Sequence, residues 1–421
     1  MNSRKQALEI LLQVFLEKKF SNLLLNQVSN SGNFSTVDKQ FIYNLVYGTI
    51  KRKIYLEYVV NKLISPEKTP MKIQVILWMA VFQIIYLDNI PDYAIVNEAV
   101  NLTRTINKNF TGLVNVVLKR FIAEAKELMI VNIKNKQNVK PLSLGFPFWL
   151  FKKIERDYSL EVAVKVAENS LEKSKIAIRV NNLKANREEI FERYGHDYGL
   201  KYSNVCEDSL IAQRSIVNSD IFKEGQITIQ DEASALVSQV LNPQPGTKIL
   251  DMCSAPGGKL THIAALTKNT SEIFACELQE KKIKLIKENI ERLGAKNITI
   301  LNQDALTIVG SNVYDYVLLD APCSGFGVLK RKPEIKLQQF NKEQLNKILE
   351  SQAKLLARGF DLLKPGGEMV YSTCTINLDE NQNQIRAFRE NNSNLVILEE
   401  IQLFGFENNT DGFYICKITK T

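Results

Sequence analysis

Two cysteines of this 421-residue chain stand in motifs at the ends of predicted strands. Cys323 follows the apolar run 314–320 in the motif Asp-Ala-Pro-Cys-Ser-Gly, and Cys374 closes the run 368–373. A thiolate is a nucleophile that can add to carbon 6 of a cytosine ring, which makes carbon 5 reactive enough to accept a methyl group. A second thiol beside the ring can assist release of the product. The residue types alone allow either cysteine to be the nucleophile.

A glycine-containing turn joins another predicted strand to a helix. The strand 248–251 runs directly into the sequence Cys-Ser-Ala-Pro-Gly-Gly-Lys, which a helical pattern follows. Glycines let the backbone approach a ligand closely, and the first N–H groups of the helix are donors. We therefore predict that this turn binds a cofactor through Cys253, Ser254, Ala255, Pro256, Gly257, Gly258 and Lys259.

Acidic residues end the strands that follow. Glu277 occupies the position that holds ribose hydroxyls in nucleotide-binding α/β folds, and Asp304 can receive an adenine amino group. Asp320 is placed to line the cofactor pocket and to bond the N3/N4 edge of a pyrimidine. Each carboxylate taken singly could simply cap the next helix. Together, and without a Gly-x-Gly-x-x-Gly motif, they favour S-adenosyl-L-methionine over a dinucleotide.

Hydrophobic periodicity predicts three kinds of architecture along the chain. Apolar residues recur at helical spacing through most of the first 130 residues, in 8–16, 41–50, 54–63, 73–87, 94–106 and 111–121. The stretch 131–139 lacks periodicity and predicts a linker. The segment 141–230 mixes helical and strand-like runs, which indicates a small α+β module.

Strands and helices alternate after residue 246. Five strands are predicted, at 248–252, 272–277, 298–303, 314–320 and 368–373. The run 316–319 is continuously apolar, as expected when both faces of a parallel sheet are covered. The alternation predicts a doubly wound α/β domain, in which the fourth and fifth strands are neighbours.

Charge and cysteine usage limit the possible partners. Residues 1–140 hold 19 lysines and arginines against 10 acidic residues, so the excess that gives the chain its net charge of +8 lies there. A basic region attracts the phosphate backbone of RNA, although it also solubilises a surface. The chain has no apolar run of membrane-spanning length and no signal-peptide pattern, so we expect a cytoplasmic protein. We expect neither a metal site nor disulfides, and we interpret Cys206, Cys276 and Cys416 as buried apolar residues.

These motifs resemble the Nop2/Sun family of RNA 5-methylcytosine methyltransferases. The likeness covers about residues 230–421 and rests on Asp251–Lys259, Asp320–Gly325 and Ser372–Cys374, with Leu362–Gly367 and Arg331–Lys336 also similar. The helical N-terminus is similar in pattern to NusB, an RNA-binding antitermination factor. The combination is similar to bacterial enzymes that methylate the small-subunit (16S) rRNA.

The resemblance implies a fold, a cofactor and a role for each site residue. It implies a class I (Rossmann-like) α/β methyltransferase domain with a mixed seven-stranded sheet at 231–421, preceded by an RNA-binding α+β module at 141–230 and a NusB-like helical RNA-binding domain at 1–130. Cys374 would be the nucleophile and Cys323 would release the product. Glu277, Asp304 and Asp320 would complete the S-adenosyl-L-methionine pocket. We expect a monomer acting on an unpaired or flipped cytosine.

Several alternatives remain at this point. The same chemistry could act on another rRNA site or on tRNA, or the chain could be a non-catalytic RNA-binding or antitermination factor. A DNA cytosine methyltransferase would use Cys323 as nucleophile, but it needs a large target-recognition region and only 98 residues follow that cysteine. Amino-group methyltransferases carry Asn/Asp-Pro-Pro-aromatic at the fourth strand and need no thiol.

Overall fold

The computed structural model describes residues 2–217, 219–338 and 340–421. The chain divides into two compact units. The first is built from Met1–Lys173 and Leu329–Gln339, and the second from Ser174–Val328 and Phe340–Thr421. The segment predicted as one module, 141–230, is therefore divided: residues 141–173 pack in the first unit and residues 174–230 in the second. The three-domain division of the sequence stays a prediction.

The main part of the first unit is a bundle of nine helices among the described residues. They are α1 (Ser3–Glu17), α2 (Ser21–Asn30), α3 (Thr36–Val60), α4 (Met71–Tyr86), α5 (Asp92–Ile106), α6 (Thr111–Leu128), α7 (Val139–Ser143), α8 (Phe148–Asp157) and α9 (Leu160–Asn169). Helix α4 is almost wholly apolar and is buried continuously over 73–83, so it lies in the core of the bundle. The two stripes predicted at 41–50 and 54–63 belong mainly to the single long helix α3.

The segment predicted as a linker is partly helical. A 3-10 turn at Lys136–Asn138 leads into α7. The other 3-10 turns of this unit are Pro66–Lys68, Lys108–Phe110 and Pro333–Leu337. The last of these comes from far along the chain, and its Glu334 carboxylate accepts hydrogen bonds from the backbone N–H and the hydroxyl of Ser21 at the start of α2.

The second unit begins with a small antiparallel sheet. Its strands are β1 (Ile176–Val180), β2 (Lys201–Tyr202), β3 (Ser209–Ala212) and β4 (Ile227–Ile229), in the order β2-β3-β1-β4. Helices α10 (Arg187–Tyr198) and α11 (Asp220–Lys223) accompany this sheet. Its apolar residues form a core of their own that includes Ile178, Leu210 and Ile227. The result is an α+β module.

A seven-stranded sheet forms the rest of the second unit. Its strands are β5 (Lys248–Asp251), β6 (Glu272–Cys276), β7 (Ile298–Leu301), β8 (Tyr314–Asp320), β9 (Leu363–Thr373), β10 (Leu395–Leu403) and β11 (Phe413–Lys420). The helices are α12 (Glu232–Leu241), α13 (Gly258–Leu266), α14 (Glu280–Leu293), α15 (Lys342–Leu362), α16 (Gln382–Glu390) and α17 (Gly405–Asn408), with a 3-10 turn at Ala305–Thr307.

The strand order explains which residues meet at the site. The order is β10-β11-β9-β8-β5-β6-β7, with β5 to β9 mutually parallel and β11 antiparallel to both of its neighbours. Apolar cores cover both faces of the sheet. The order reverses between β5 and β8, and ligands bind outside the carboxyl ends of strands at such a point. The predicted mixed seven-stranded sheet is confirmed.

Within the described parts of the chain, no helix combines the length and the apolar character needed to cross a membrane.

Candidate active site

Two thiols meet at the carboxyl ends of neighbouring strands. Strands β8 and β9 pair in parallel with Asp320 opposite Ser372, so the residues that follow each strand emerge side by side. The Sγ atoms of Cys323 and Cys374 lie 3.3 Å apart, within hydrogen-bonding distance for sulfur. Both side chains are partly exposed. The structure therefore brings together the two cysteines that the sequence placed in separate motifs.

The backbone around the thiols is closely packed. The Gly327 N–H donates to the Cys374 carbonyl at 3.0 Å, and the Gly412 N–H donates to the Gly327 carbonyl at 2.9 Å. A Cβ atom on Gly327 would come within 1.9 Å of the Gly412 oxygen and 2.8 Å of the Cys374 oxygen. Only a glycine allows this approach, so residue 327 fixes the position of the chain at Cys374.

The glycine turn lies at the switch point of the sheet, between β5 and α13. Gly257 has a φ of 100°, a region that favours glycine, and its N–H donates to the Ser254 carbonyl at 2.7 Å. The Ser254 hydroxyl is turned inwards and bonds the Asp251 carbonyl, which makes it a support of the turn. The Ala255–Pro256 peptide is cis. Helix α13 begins at Gly258, so its first N–H groups point towards the edge where the ligand is expected.

Lys259 links this turn to the thiol strands. Its Nζ lies 2.7 Å from Asp320 Oδ2, and the other carboxylate oxygen of Asp320 accepts a 2.9 Å hydrogen bond from the Ser372 hydroxyl. Asp320 is thus held by one residue from the cofactor turn and one from β9. The contact with Lys259 also means that Lys259 already has a partner before any ligand binds.

A buried carboxyl group lies beneath this pair. Asp251 ends β5 and is almost fully buried. Burial, assisted by the charge of Asp320, raises its pKa to about 7, and the charge of Lys259 opposes that rise. The burial of the neighbouring Cys253 thiol, with the Asp251 charge beside it, raises its pKa well above the ordinary range, so that thiol stays protonated. Cys253 is therefore suited to contact a ligand and not to attack one.

Glu277 and Asp304 stand at the ends of the next two strands. Oε1 of Glu277 accepts a hydrogen bond from the Gln279 N–H at 2.8 Å. Oδ1 of Asp304 accepts from the Leu306 N–H at 3.0 Å and caps the 3-10 turn that follows, which is the structural role considered for it from the sequence. The second oxygen of each carboxylate takes no part in these contacts, so it can accept a hydrogen bond from a ligand.

The residues present fit S-adenosyl-L-methionine. The cofactor carries a positive sulfonium and an ammonium group, together with ribose hydroxyls and an adenine amino group, all of which are attracted to carboxylates. Acidic residues stand at the ends of four successive strands, in the spatial order Asp320, Asp251, Glu277 and Asp304, and Asp251 is the buried member of the four. The N-terminus of α13 adds N–H donors for the carboxylate of the amino-acid tail.

The remaining cysteines are buried, as expected. Cys206, Cys276 and Cys416 are each at most 2% exposed. Burial raises the pKa of all three thiols, to about 11 for Cys206 and to about 12 for the other two. They are protonated apolar side chains. Among the described residues no group of histidine, cysteine and acidic side chains has the arrangement of a metal site.

Three buried polar side chains support the site without having been assigned a role from the sequence. Asp251, Ser372 and Glu380 are all buried, and none of them was among the predicted site residues. Asp251 and Ser372 belong to the motifs 251–259 and 372–374, so the sequence carried a signal for both. Glu380 lies in a turn after that motif and carries no local pattern, so only the folded structure reveals its contacts.

The fold and the site together define a class I S-adenosylmethionine-dependent methyltransferase. The chain matches the family 16S rRNA methyltransferase RsmB/F over residues 238–419 and the NusB family over residues 1–123. A probable ribosomal RNA small subunit methyltransferase B of Bacillus subtilis is 33% identical over 99% of this chain and 98% of its own length. The chain belongs to the RsmB/F family of 16S rRNA methyltransferases.

Other relatives agree. The ribosomal RNA small subunit methyltransferase B of Proteus mirabilis is 29% identical over 92% of this chain and 92% of its own length. The crystal structure of a methyltransferase homolog protein from Pyrococcus horikoshii is 27% identical and superposes with a TM-score of 0.62, covering 69% of this chain and 100% of that one. The relatives support the expectation of an enzyme that uses S-adenosyl-L-methionine.

Proposed function

We propose that this enzyme methylates carbon 5 of a cytosine in 16S rRNA, with Cys374 as nucleophile and Cys323 as the residue that releases the product. The observation that carries the proposal is the 3.3 Å contact between the two sulfur atoms beside Asp320 and the cofactor turn. A methyltransferase that acts on an amino group has no use for two thiols there. We infer 16S rRNA as the substrate from the family to which the chain belongs and from the relatives named above.

Each thiol has a separate task in the reaction. The Cys374 thiolate forms a bond to carbon 6, and the electron pair of the carbon 5–carbon 6 double bond becomes available at carbon 5. When bound, S-adenosyl-L-methionine supplies the methyl group on a positively charged sulfur. The carbon 5 proton then leaves, its bonding pair restores the double bond, and the carbon 6–sulfur bond breaks with its pair returning to Cys374. Cys323 gives its proton to the departing sulfur and takes the proton from carbon 5, so atoms and charge balance.

The electrostatics around Cys323 are compatible with a thiol that donates a proton. The pKa of Cys323 is raised well above its usual range, first by its hydrogen bond to Cys374 and then by its partial burial and by nearby negative charges, including those of Glu380 and Asp320. A Cys323 thiol that keeps its proton can donate it towards Cys374, which stabilises negative charge on the Cys374 sulfur. The 3.3 Å contact is symmetric in the two sulfur atoms, so the choice of Cys374 as nucleophile rests on the resemblance to the Nop2/Sun family.

Asp320 is placed to bind the target base as well as the cofactor. Its carboxylate is oriented by Lys259 and by Ser372, close to the strand ends that carry both thiols. A carboxylate there can accept from the cytosine amino group while the ring is attacked. A cytosine in an RNA helix hides its edges and faces, so we expect the target to be unpaired or flipped out.

We further propose that the first unit binds RNA through a groove between α5 and α6. The groove has a volume of about 740 Å³, and Arg104 and Lys119 line it together with Asn97 and Asn115. None of its lining residues is acidic. Tyr93 stands at the groove with 72% of its surface exposed, as a ring on which a base can stack. Phosphate contacts by the basic side chains and stacking on the tyrosine suit a single-stranded segment.

The target is tested by mapping 5-methylcytosine in rRNA and tRNA from a deletion strain and from a strain carrying the gene again. We expect one 16S rRNA cytosine to lose its resistance to bisulfite in the deletion strain and to regain it on complementation. Loss of a mark in tRNA or in large-subunit rRNA with 16S rRNA unchanged would contradict the 16S target. Unchanged marks in every RNA would favour the non-catalytic alternative. We expect the enzyme to act in the cytoplasm as a monomer.

A further inference from the structure

A fully buried carboxylate is hydrogen-bonded to the residue that follows Cys323. Glu380 belongs to the turn between β9 and α16, and none of its surface is exposed. The proposed mechanism assigns it no task. Removing a carboxylate from water is costly unless hydrogen-bond donors replace the water, so the contacts that surround this group must be numerous and well placed.

Four side-chain or backbone donors surround the Glu380 carboxylate. Oε2 accepts from the Ser324 N–H at 2.9 Å and from the Gln352 amide at 3.0 Å. Oε1 accepts from the Asn377 amide at 2.8 Å and from the Ser324 hydroxyl. Both donors of Ser324 therefore end on one carboxylate.

These contacts join the two cysteine segments to each other. Ser324 directly follows Cys323, and its hydroxyl oxygen lies 2.9 Å from the hydroxyl of Thr375, which directly follows Cys374. The Gln352 amide, already bonded to Glu380, also donates to the carbonyl of Pro322 at 2.9 Å. The residues on both sides of Cys323 and the residue after Cys374 are thus linked to the same carboxylate through a few short hydrogen bonds.

We propose that Glu380 is a positioning residue for product release, which holds the Cys323 segment against Cys374 so that a proton can pass between the two sulfur atoms. This inference rests on the proposed roles of the thiols. Its physical basis is that a 3.3 Å sulfur contact depends on the placement of two separate loops, and Glu380 bonds the loop that carries Cys323 at two atoms. The negative charge of Glu380 also helps to hold the pKa of Cys323 high, which keeps the releasing thiol protonated.

The test is the variant Glu380→Gln in the full-length enzyme. Glutamine has the same shape, but it lacks the negative charge and replaces one oxygen by an NH₂ group. The hydrogen bonds that hold the Cys323 segment are therefore weakened or rearranged. Loss of hydrogen bonds to a charged group should lower kcat by about 10- to 100-fold. KM and the Kd for S-adenosyl-L-methionine should stay within about twofold, and RNA bound covalently to Cys374 should accumulate on a denaturing gel.

A matched control is Glu400→Gln. Glu400 lies on β10, where it accepts a 2.6 Å hydrogen bond from the Tyr414 hydroxyl, and this variant should turn over as the unchanged enzyme does. If Glu380→Gln does not fold, Ser324→Ala removes only a hydroxyl from the same network and should show the same accumulation with a smaller loss of kcat. A circular dichroism spectrum and an unfolding curve show whether the Glu380→Gln variant is folded.

Two outcomes would overturn the inference. One is a folded Glu380→Gln variant with unchanged kcat and no trapped RNA. The other is a variant whose kcat falls together with cofactor affinity, with no trapped RNA, since that is the behaviour of a residue that merely maintains the fold. Failure of the underlying thiol assignment is recognised separately, because Cys323→Ser would then trap no RNA, whatever residue 380 is.

Discussion

Glu277 offers a quantitative test of the cofactor site. The carboxylate lies at the end of β6, 9% exposed, with Oε1 bonded to the Gln279 N–H at 2.8 Å and Lys282 Nζ 4.0 Å away. One oxygen is thus engaged within the turn, and the other is available to a ribose hydroxyl. Replacing Glu277 by Ala should remove one or two charge-assisted hydrogen bonds to the cofactor and leave the sheet intact.

The expected loss follows from those contacts. Loss of one or two hydrogen bonds to a charged group should reduce the free energy of cofactor binding by about 1–3 kcal/mol in total. This loss corresponds to a Kd that is increased by about 5- to 150-fold. Glu277→Gln keeps an oxygen for the Gln279 N–H and should lose less affinity. Glu272→Ala, at the opposite end of the same strand and exposed, is the matched control and should bind normally.

Isothermal titration calorimetry with S-adenosyl-L-methionine measures both variants against the control. An unchanged Kd for Glu277→Ala, in a protein that unfolds at the normal denaturant concentration, would remove Glu277 from the site. An equal loss in the Glu272→Ala control would mean that the effect comes from a damaged sheet and not from a lost contact with ribose.

Three further predictions concern other parts of the molecule. Arg104→Ala combined with Lys119→Ala should weaken RNA binding and flatten its dependence on salt, whereas Arg120→Ala, whose side chain already pairs with a glutamate at 3.0 Å, should do neither in filter-binding assays. Burial, assisted by the positive charges of Lys51 and Arg52, lowers the pKa of the Lys336 ammonium group to about 7. The unfolded chain therefore binds the ammonium proton of Lys336 more tightly than the folded chain does. Stability should therefore rise from pH 7 towards pH 10, and denaturant unfolding of Lys336→Met should show a smaller rise. Gly327→Ala should lower the free energy of unfolding by about 1–3 kcal/mol in the same assay, because the alanine Cβ has no room beside two backbone oxygens. The variant should also methylate RNA more slowly. A variant with unchanged stability and activity would contradict the packing argument.

The seven-stranded sheet was predictable where its signals are local. The five strands predicted from apolar runs all exist, because each is short, continuous and followed by a turn or helix signal. The small sheet was harder, since β2 has only two residues and both are exposed, which leaves no apolar pattern. The packing of 141–173 with the helical bundle is a long-range property, and no periodicity within that segment indicates it.

The same distinction holds at the candidate site. The position of a cysteine or a carboxylate at the end of a strand follows from the strand itself, so Cys323, Cys374 and Asp320 could be selected from the sequence. Pairings across the sheet follow only from strand order. Lys259 is 61 residues from Asp320 and Glu380 is 56 residues from Ser324, and nothing in the intervening sequence states that they meet.

The central claim is that Cys374 attacks the cytosine and Cys323 releases it, and trapping of the covalent adduct tests it most directly. Each single variant, Cys374→Ser and Cys323→Ser, is incubated with S-adenosyl-L-methionine and a labelled 16S rRNA fragment, and the products are separated on a denaturing gel. Cys323→Ser should give a slowly migrating protein–RNA band with an unpaired target and none with a perfect duplex, because attack proceeds and elimination slows. Cys374→Ser should give no band and no methylation, because a serine hydroxyl is almost never ionised near pH 7. A band formed by Cys374→Ser and absent from Cys323→Ser would contradict the assignment.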